Sequence, residues 1–337
     1  MESADIRCPQ TPFCISAGPA RTQLLRYLQD FEENSVSDPR STTLSLNTTN
    51  MAIRFLVLSD THDQPFPDTS GYSVDVVLHC GDLTQIGGLS NYRRALEEIK
   101  SIEAELKLVI PGNHDVSLDP KWWAENLDQE DDDDPEEPTK AHQLFAEAEV
   151  DGIYLLSEGT RAFTLANGKS FTIYASPYTP AFNGYAFPYS LGEDRFNHGD
   201  NPIPDNIDIV MTHGPPLVSA RRNVSATYTL DLGHEGEHHG CSKLFDAVSR
   251  SRPLLHCFGH IHEGHGVQSL LWQDGSLEGA EAPPDGSTLR ASLGRTTFVN
   301  AAIATHEGAP NNKPWVVEVD LVNRGAEEDQ GREGVCM

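Results

Sequence analysis

The sequence predicts an α/β fold built on a mostly parallel sheet. From Arg54 onward, short apolar runs alternate with loops and amphipathic segments in the rhythm strand, loop, strand, helix, strand. Five of these runs end in a small polar segment: Asp60-Thr61-His62, Gly81-Asp82, Gly112-Asn113-His114-Asp115, His213-Gly214 and Gly259-His260-Ile261-His262. In open α/β sheets functional groups gather at the carboxyl ends of strands, which is where these segments fall.

Taken in order, residues 1–20 are rich in Pro and polar residues. Between Thr22 and Asn34, the spacing of Leu24, Leu25, Leu28 and Phe31 predicts one amphipathic helix docked on the main domain. Residues 35–50 read as a flexible linker, so residues 1–50 form an N-terminal extension. The main domain is expected over 51–323. Residues 55–58 and 74–78 are candidate buried strands, 92–102 a helix with Leu96, Ile99 and Ile102 on one face, and 106–110 a strand. Such units join by right-handed crossovers. Further strands are expected at 162–165, 171–174, 207–212, 254–259, 297–301 and 315–320, with a helix from Ser242 to Arg250. Residues 128–138 predict a solvated acidic insertion loop, because a Ca²⁺ loop would need Gly and alternating ligands. Residues 272–293 read as a long loop and 324–337 as a disordered acidic tail. No internal repeat is present.

The chain of 337 residues, 38% hydrophobic, is long enough to bury a large core. Its 51 Asp+Glu against 24 Lys+Arg give a formal charge of −27, which repels polymeric nucleic acid and anionic membranes. A small phosphorylated substrate remains compatible where metals or a local cationic pocket receive it. The six cysteines lack CxxC spacing, and Cys80 and Cys257, ending apolar runs, read as buried reduced thiols. No secretory leader and no apolar stretch of membrane-spanning length is evident, the sequons at Asn47 and Asn223 mean nothing without secretion, and Cys336 is misplaced for prenylation. A cytoplasmic location follows as the expectation; oligomeric state is not legible.

The five segments supply carboxylates, an amide oxygen and imidazoles without sulfur. Such a set suits two neighbouring divalent transition ions better than a structural zinc site. Mn²⁺, Fe²⁺/Fe³⁺ or Zn²⁺ would all fit, with availability deciding. Paired ions clamp a phosphoryl group and lower the pKa of a bound water, and a Gly-Asp after a strand is the natural source of a bridging carboxylate. Glycines 81, 112, 214 and 259 allow the tight turns and close approach that such a rim needs.

In that order, D-x-H, G-D, G-N-H-[DE], H and G-H-x-H, the blocks resemble those of the calcineurin-like metallophosphoesterase superfamily over about residues 53–322. The resemblance implies a four-layer α/β/β/α sandwich with two mixed sheets and a dinuclear metal site at the strand ends. It implies that Asp60, His62, Asp82 and His262 hold one metal and Asp82, Asn113, His213 and His260 the other, with Asp82 bridging. It makes His114 the group that contacts the phosphoryl oxygen or protonates the leaving group, with Asp115 orienting its imidazole. The stretches Leu78–Thr84, Ser176–Pro180, Thr212–Pro216 and Phe258–Gly264 are similar to the metallophosphoesterase-domain-containing, fetal-brain 239-like subgroup. That subgroup implies cyclic-nucleotide phosphodiesterase activity. Some vertebrate members replace the first histidine of the last block by glycine; this chain keeps His260.

One departure bears on substrate. Ser/Thr phosphatases of the superfamily carry an Arg soon after the Gly-Asp block, whereas here the run is Gly81-Asp82-Leu83-Thr84-Gln85-Ile86-Gly87-Gly88. A bidentate Arg grips a dianionic monoester, so its absence favours diesters. The expected activity is therefore hydrolysis of a small phosphodiester, such as a cyclic nucleotide, through a hydroxide bridging the metals. Alternatives are a phosphomonoesterase, a specialised biosynthetic enzyme using the same metals, or a non-catalytic interaction module like the retromer subunit with this fold. Arg221, Arg222 and Tyr178 are candidates for substrate binding. The dense aromatics Tyr178, Phe182, Tyr185, Phe187 and Tyr189 either stack on a base or pack their own loop. Asp63 and His79 read as supporting residues. The group His234, His238, His239 with Glu235 and Glu237 reads as a solvated loop, with a third ion or a lid as the other reading.

Overall fold

A computed structural model describes residues 52–127, 133–218, 227–280 and 288–321. All of them fall in the second of two compact units, residues 49–337. The expectations for residues 1–50, for 324–337 and for Arg221 and Arg222 lie outside the described residues, as do residues 128–132 of the acidic run.

The strands in chain order are β1 (Ala52–Leu58), β2 (Val76–His79), β3 (Leu106–Val109), β4 (Ile153–Leu155), β5 (Gly159–Thr164), β6 (Ser170–Ser176), β7 (Thr179–Pro180) and β8 (Pro188–Tyr189). They continue with β9 (Ile209–Thr212), β10 (Leu255–Phe258), β11 (Gly266–Leu271), β12 (Leu277–Ala280), β13 (Leu289–Ala291), β14 (Arg295–Asn300) and β15 (Trp315–Asp320). The helices are α1 (Leu89–Ser101), α2 (Pro120–Asn126), α3 (Glu137–Ala148), α4 (Arg195–His198) and α5 (Ser242–Ser251).

Two mixed sheets result. One has the order β13-β15-β1-β2-β3-β4 and the other β12-β11-β14-β10-β9-β6-β5. The period-two alternation of each strand explains their stacking. Ile53, Phe55 and Val57 of β1 share a core with Ile209 and Met211 of β9, Leu255 and Cys257 of β10 and Ile173 of β6. The opposite face of the first sheet, through Val109 and Ile153, packs on Tyr92, Ala95, Leu96 and Ile99 of α1 and Ala141 and Phe145 of α3. The opposite face of the second, through Val210, Phe258 and Phe298, packs on Leu244, Ala247 and Val248 of α5. Helices, sheet, sheet and helix give the four-layer α/β/β/α sandwich.

Several elements depart from the sequence expectation. Helix α3 starts inside the expected acidic loop, at Glu137, and buries only Pro138, Ala141 and Phe145. Its apolar stripe is too thin to read among acidic neighbours, and Pro138 sits where the first turn tolerates it. Helix α2 is seven residues long and is set by its cap: Asp119 accepts from the N–H groups of Lys121 and Trp122, with Pro120 next in line. The stretch 272–293 is not one long loop, since β12 and β13 lie within it. Both are short edge strands, which carry little periodic signal.

Candidate metal centre

The five polar segments converge on one rim. Asp60 and His62 follow β1, Asp82 follows β2 and Asn113 follows β3, all from one sheet; His213 follows β9 and His260 and His262 follow β10 in the other. The two sheets meet at this edge through a bridge between Ser59 and Ala302. Hydrogen bonds from Asp60 N–H to the Gly81 carbonyl (2.9 Å), His62 N–H to the Asp82 carbonyl (3.1 Å) and Gly259 N–H to the His213 carbonyl (3.0 Å) knit the loops together. Three of the motif glycines are needed for space. A Cβ on Gly81 would meet the His213 ring, one on Gly112 the Asp82 carboxylate and His213, and one on Gly259 the Asp60 carboxylate and Ser59, all within 3 Å.

Two triads result, Asp60/His62/His262 and Asp82/His213/His260, with ligand atoms inside each lying within 4.8 Å of one another. Asp82 Oδ2 sits between them, 3.7 Å from His62 Nε2 and 3.3 Å from His213 Nε2. Its other oxygen accepts from the His114 backbone N–H at 2.8 Å. Asn113 Oδ1 is 2.9 Å from His213 Nε2, and so completes the second triad.

The donor set fits divalent cations on three grounds. His62, His213 and His262 each direct Nδ1 to a backbone carbonyl, of Thr84 (3.3 Å), Cys80 (2.8 Å) and Thr305 (3.2 Å). A carbonyl only accepts, so Nδ1 carries a proton and Nε2 is the nitrogen that faces the centre, where it ligates a metal in place of a proton of its own. His62 Nε2 and His262 Nε2 are only 3.1 Å apart, so the two nitrogens converge on one point, where a shared proton or a cation satisfies both. The carboxylates of Asp60 and Asp82 are buried (0% and 2% exposed) and have no Lys or Arg partner among the described residues. Burial would push the Asp60 carboxyl up, yet the hydrogen bond and charge of His262 hold it well below the usual carboxylate range. For Asp82, burial is likewise outweighed, by His213 and His62. Burial lowers His213, but the Asp82 charge and hydrogen bond bring it up to about 9. The centre thus draws positive charge to itself, by protons or by metal ions. His260, pushed down to about 3 by burial, stays neutral.

His114 lies beside the triads, its ring centroid 4.9 Å from that of His62. Its Nδ1 donates to the Gln85 carbonyl at 2.8 Å, and Tyr185 packs on it at 4.4 Å. The expectation for Asp115 is corrected here. Fully buried, it does not contact the His114 ring; its oxygens accept from the N–H groups of Leu83, Thr84 and Gly112 and from the Thr84 hydroxyl, at 2.8–3.2 Å. The Gln85 carbonyl orients His114 instead, and no side-chain letter could have announced it. The same is true of the carbonyls that fix the other histidines.

A cavity of about 650 Å³ opens on Asp82, Asn113, His114, His260 and His262. Phe182, Tyr185, Tyr189, Leu191, Leu217 and Ile261 form its apolar side. Tyr178, the other candidate for substrate binding, is not there. It lies under the Arg195 guanidinium (3.7 Å) in a separate cavity of about 620 Å³ lined by Glu158 and Glu193. The aromatic run is therefore divided: Phe182, Tyr185 and Tyr189 face the centre, while Tyr178 and Phe187 pack on each other at 5.8 Å. Asp63 pairs with Arg94 at 2.9 Å, and the buried His79 meets the Thr61 hydroxyl at 3.1 Å, so neither joins the triads.

Comparison with known proteins agrees with this geometry. The calcineurin-like phosphoesterase family profile matches residues 53–264. The human and mouse metallophosphoesterase domain-containing protein 1 are each 31% identical over 275 residues, covering 79% of this chain and 71% of theirs. A Caenorhabditis elegans UPF0046 protein is 28% identical over 286 residues, covering 80% and 82%. With that match and those identities, the chain belongs to the calcineurin-like phosphoesterase family, in the metallophosphoesterase-domain-containing subgroup.

Proposed function

We propose that this metal-dependent phosphoesterase is a phosphodiesterase for a small ester with an apolar or aromatic substituent, such as a cyclic nucleotide. The observation that carries the reading is the lining of the cavity beside the centre. Among the described residues it contains no arginine, and its lysine, Lys243, already donates to the carbonyls of Leu191 (2.9 Å) and Glu193 (3.1 Å). A dianionic monoester would want a free guanidinium fork, whereas a diester carries a single negative charge. Phe182, 60% exposed, and Tyr185 offer π-faces to a base or aryl group.

In this reading Asp60, His62, Asp82 and His262 would hold one divalent ion and Asp82, Asn113, His213 and His260 the other, with Asp82 common to both. Bound, the ions supply charge neutralisation and an acidified water. The chain supplies the rest. The carbonyls of Thr84, Cys80 and Thr305 keep three imidazoles in the Nε2-ligating tautomer. His114, held through Nδ1 by the Gln85 carbonyl, has Nε2 available to donate a proton to the departing oxygen. The apolar side orients the substituent and excludes water.

Hydrolysis of bis(p-nitrophenyl) phosphate and p-nitrophenyl phosphate tests this directly. The diester should be preferred in kcat/KM. Asp82→Ala and His114→Ala should both abolish turnover, with the metal retained in the His114 variant. A preference for the monoester refutes the diester reading, and turnover that survives chelation or Asp82→Ala refutes the mechanism.

A further inference from the structure

Among the described residues, three groups bring three His or carboxylate ligand atoms within 4.8 Å of one another. Two are the halves of the centre. The third is His234, Glu263 and His306, drawn from three separate segments. We propose that these side chains bind one further divalent transition-metal ion at the mouth of the cavity.

Each is presented by a tight turn. His234 sits in a hairpin closed by the Leu232–His238 bridge and the Gly233 N–H to Glu237 carbonyl bond (2.9 Å). Glu263 is the middle residue of the 3₁₀ turn His262–Gly264. His306 lies in a turn closed by Gly308 N–H to the Thr305 carbonyl (2.8 Å) and Thr305 N–H to the Ala309 carbonyl (2.8 Å). His306 Nδ1 is 2.5 Å from Glu263 Oε1. The rings of His234 and His306 lie parallel (3°) with centroids 4.1 Å apart. That stack brings both imidazoles beside the Glu263 carboxylate, so that two ring nitrogens and one oxygen converge. Chelation asks the rings to open out of the stack, which exposed side chains do by small χ changes.

Two imidazoles and one carboxylate, open to water on the remaining sides, suit Zn²⁺, Fe²⁺ or Ni²⁺ and leave coordination positions free. The other histidines of the segment are already engaged: His238 pairs with Asp231 at 2.7 Å and His239 with Glu237 at 2.8 Å. Glu263 lines the cavity and follows His262, whose Nδ1 is held by Thr305, the neighbour of His306. An ion here ties the His262 turn to the two outer loops.

The test is equilibrium dialysis of the full chain against graded Zn²⁺, with bound metal counted by mass spectrometry. His234→Ala and His306→Ala should each saturate at one zinc per chain fewer than the parent, whatever number the parent's centre holds. His306→Gln should give the same loss should the alanine variant fold poorly. Variants that saturate equally with the parent, or that lose more than one equivalent, overturn the assignment.

Discussion

Replacing Asp115 separates two roles for the same residue. The family resemblance implies that it orients His114; its contacts say that it fastens the loop after β2 to the loop after β3. One oxygen accepts from the Thr84 N–H (3.0 Å) and hydroxyl (2.9 Å), the other from the Gly112 N–H (2.8 Å) and Leu83 N–H (3.2 Å). In Asp115→Asn an NH₂ replaces one oxygen, so at least one buried backbone N–H faces a donor whichever way the amide turns. Each such orphan costs about 1–3 kcal/mol. Against this, burial and the Asp82 charge push the Asp115 carboxyl up to about 7, so neutralising it relieves repulsion. A net loss of about 2 kcal/mol follows for Asn, and about 4 kcal/mol for Ala, which orphans three backbone N–H groups. For a domain of this size that is a fall in Tm of about 4–8 °C for the Asn variant. Urea unfolding of the metal-loaded protein measures it. If Asp115→Asn unfolds within about 0.5 kcal/mol of the parent while kcat falls, the loop-fastening account is wrong and the orienting role stands.

Four further outcomes are expected. Gly259→Ala places a methyl on the Asp60 carboxylate and Ser59, so metal analysis should show the Asp60 half depleted, with kcat/KM falling by about tenfold or more. Arg195→Ala strands Glu158, bonded bidentately at 2.9 Å and only 12% exposed, and should cost about 3 kcal/mol in unfolding experiments. Tyr178→Phe, in the same cavity, should leave KM unchanged; a raised KM would return Tyr178 to the substrate site. Phe182→Ala and Tyr185→Ala should raise KM for an aryl diester about tenfold and for a dialkyl diester hardly at all.

The sheet was legible because strands buried on both faces give continuous apolar runs, and the runs expected from Phe55, Val74, Leu106, Ile207, Leu254 and Trp315 each contain a strand. Elements that pack weakly or through few residues were not. Helix α3 exposes most of its surface, and β12 and β13 are edges. Ligand chemistry was legible for the same reason that the motifs are short: imidazole and carboxylate are visible as letters. What orients them was not. Gln85, Thr84, Cys80 and Thr305 act through carbonyl oxygens that every residue possesses, so only coordinates reveal them. The cavity that Tyr178 enters was not legible, because adjacency to Thr179 and Pro180 says nothing about it; Arg195, seventeen residues on, stacks over the ring in the cavity beside Glu158.

Backbone conformation adds a constraint that ligand chemistry alone does not explain. Asp60 (φ 54°), His62 (φ 44°), Asp82 (φ 54°) and His260 (φ 69°) all occupy the left-handed region. For non-glycine residues that costs about 1–2 kcal/mol each, so the four together approach the net stability of an ordinary domain. The loop hydrogen bonds must hold them there, and those bonds join every segment to its neighbour: Asp60 to Gly81, His62 to Asp82, and the His260 N–H to the Asp60 carboxylate at 3.0 Å. The strain serves geometry. Left-handed turns immediately after β1, β2 and β10 fold the chain back, so that residues two apart point into one centre rather than running on along the strand. Asp and His tolerate this region better than β-branched residues, and Ile261, between His260 and His262, keeps φ at −98°. The motif letters therefore satisfy two demands, a ligand atom and a permitted backbone. Asp60→Glu separates them: it keeps the carboxylate but lengthens the side chain at a left-handed position. Metal affinity should fall as ligand reach changes, and apoprotein stability should fall as well. Unchanged apoprotein stability in Asp60→Glu would show that the strain is borne without help from residue type.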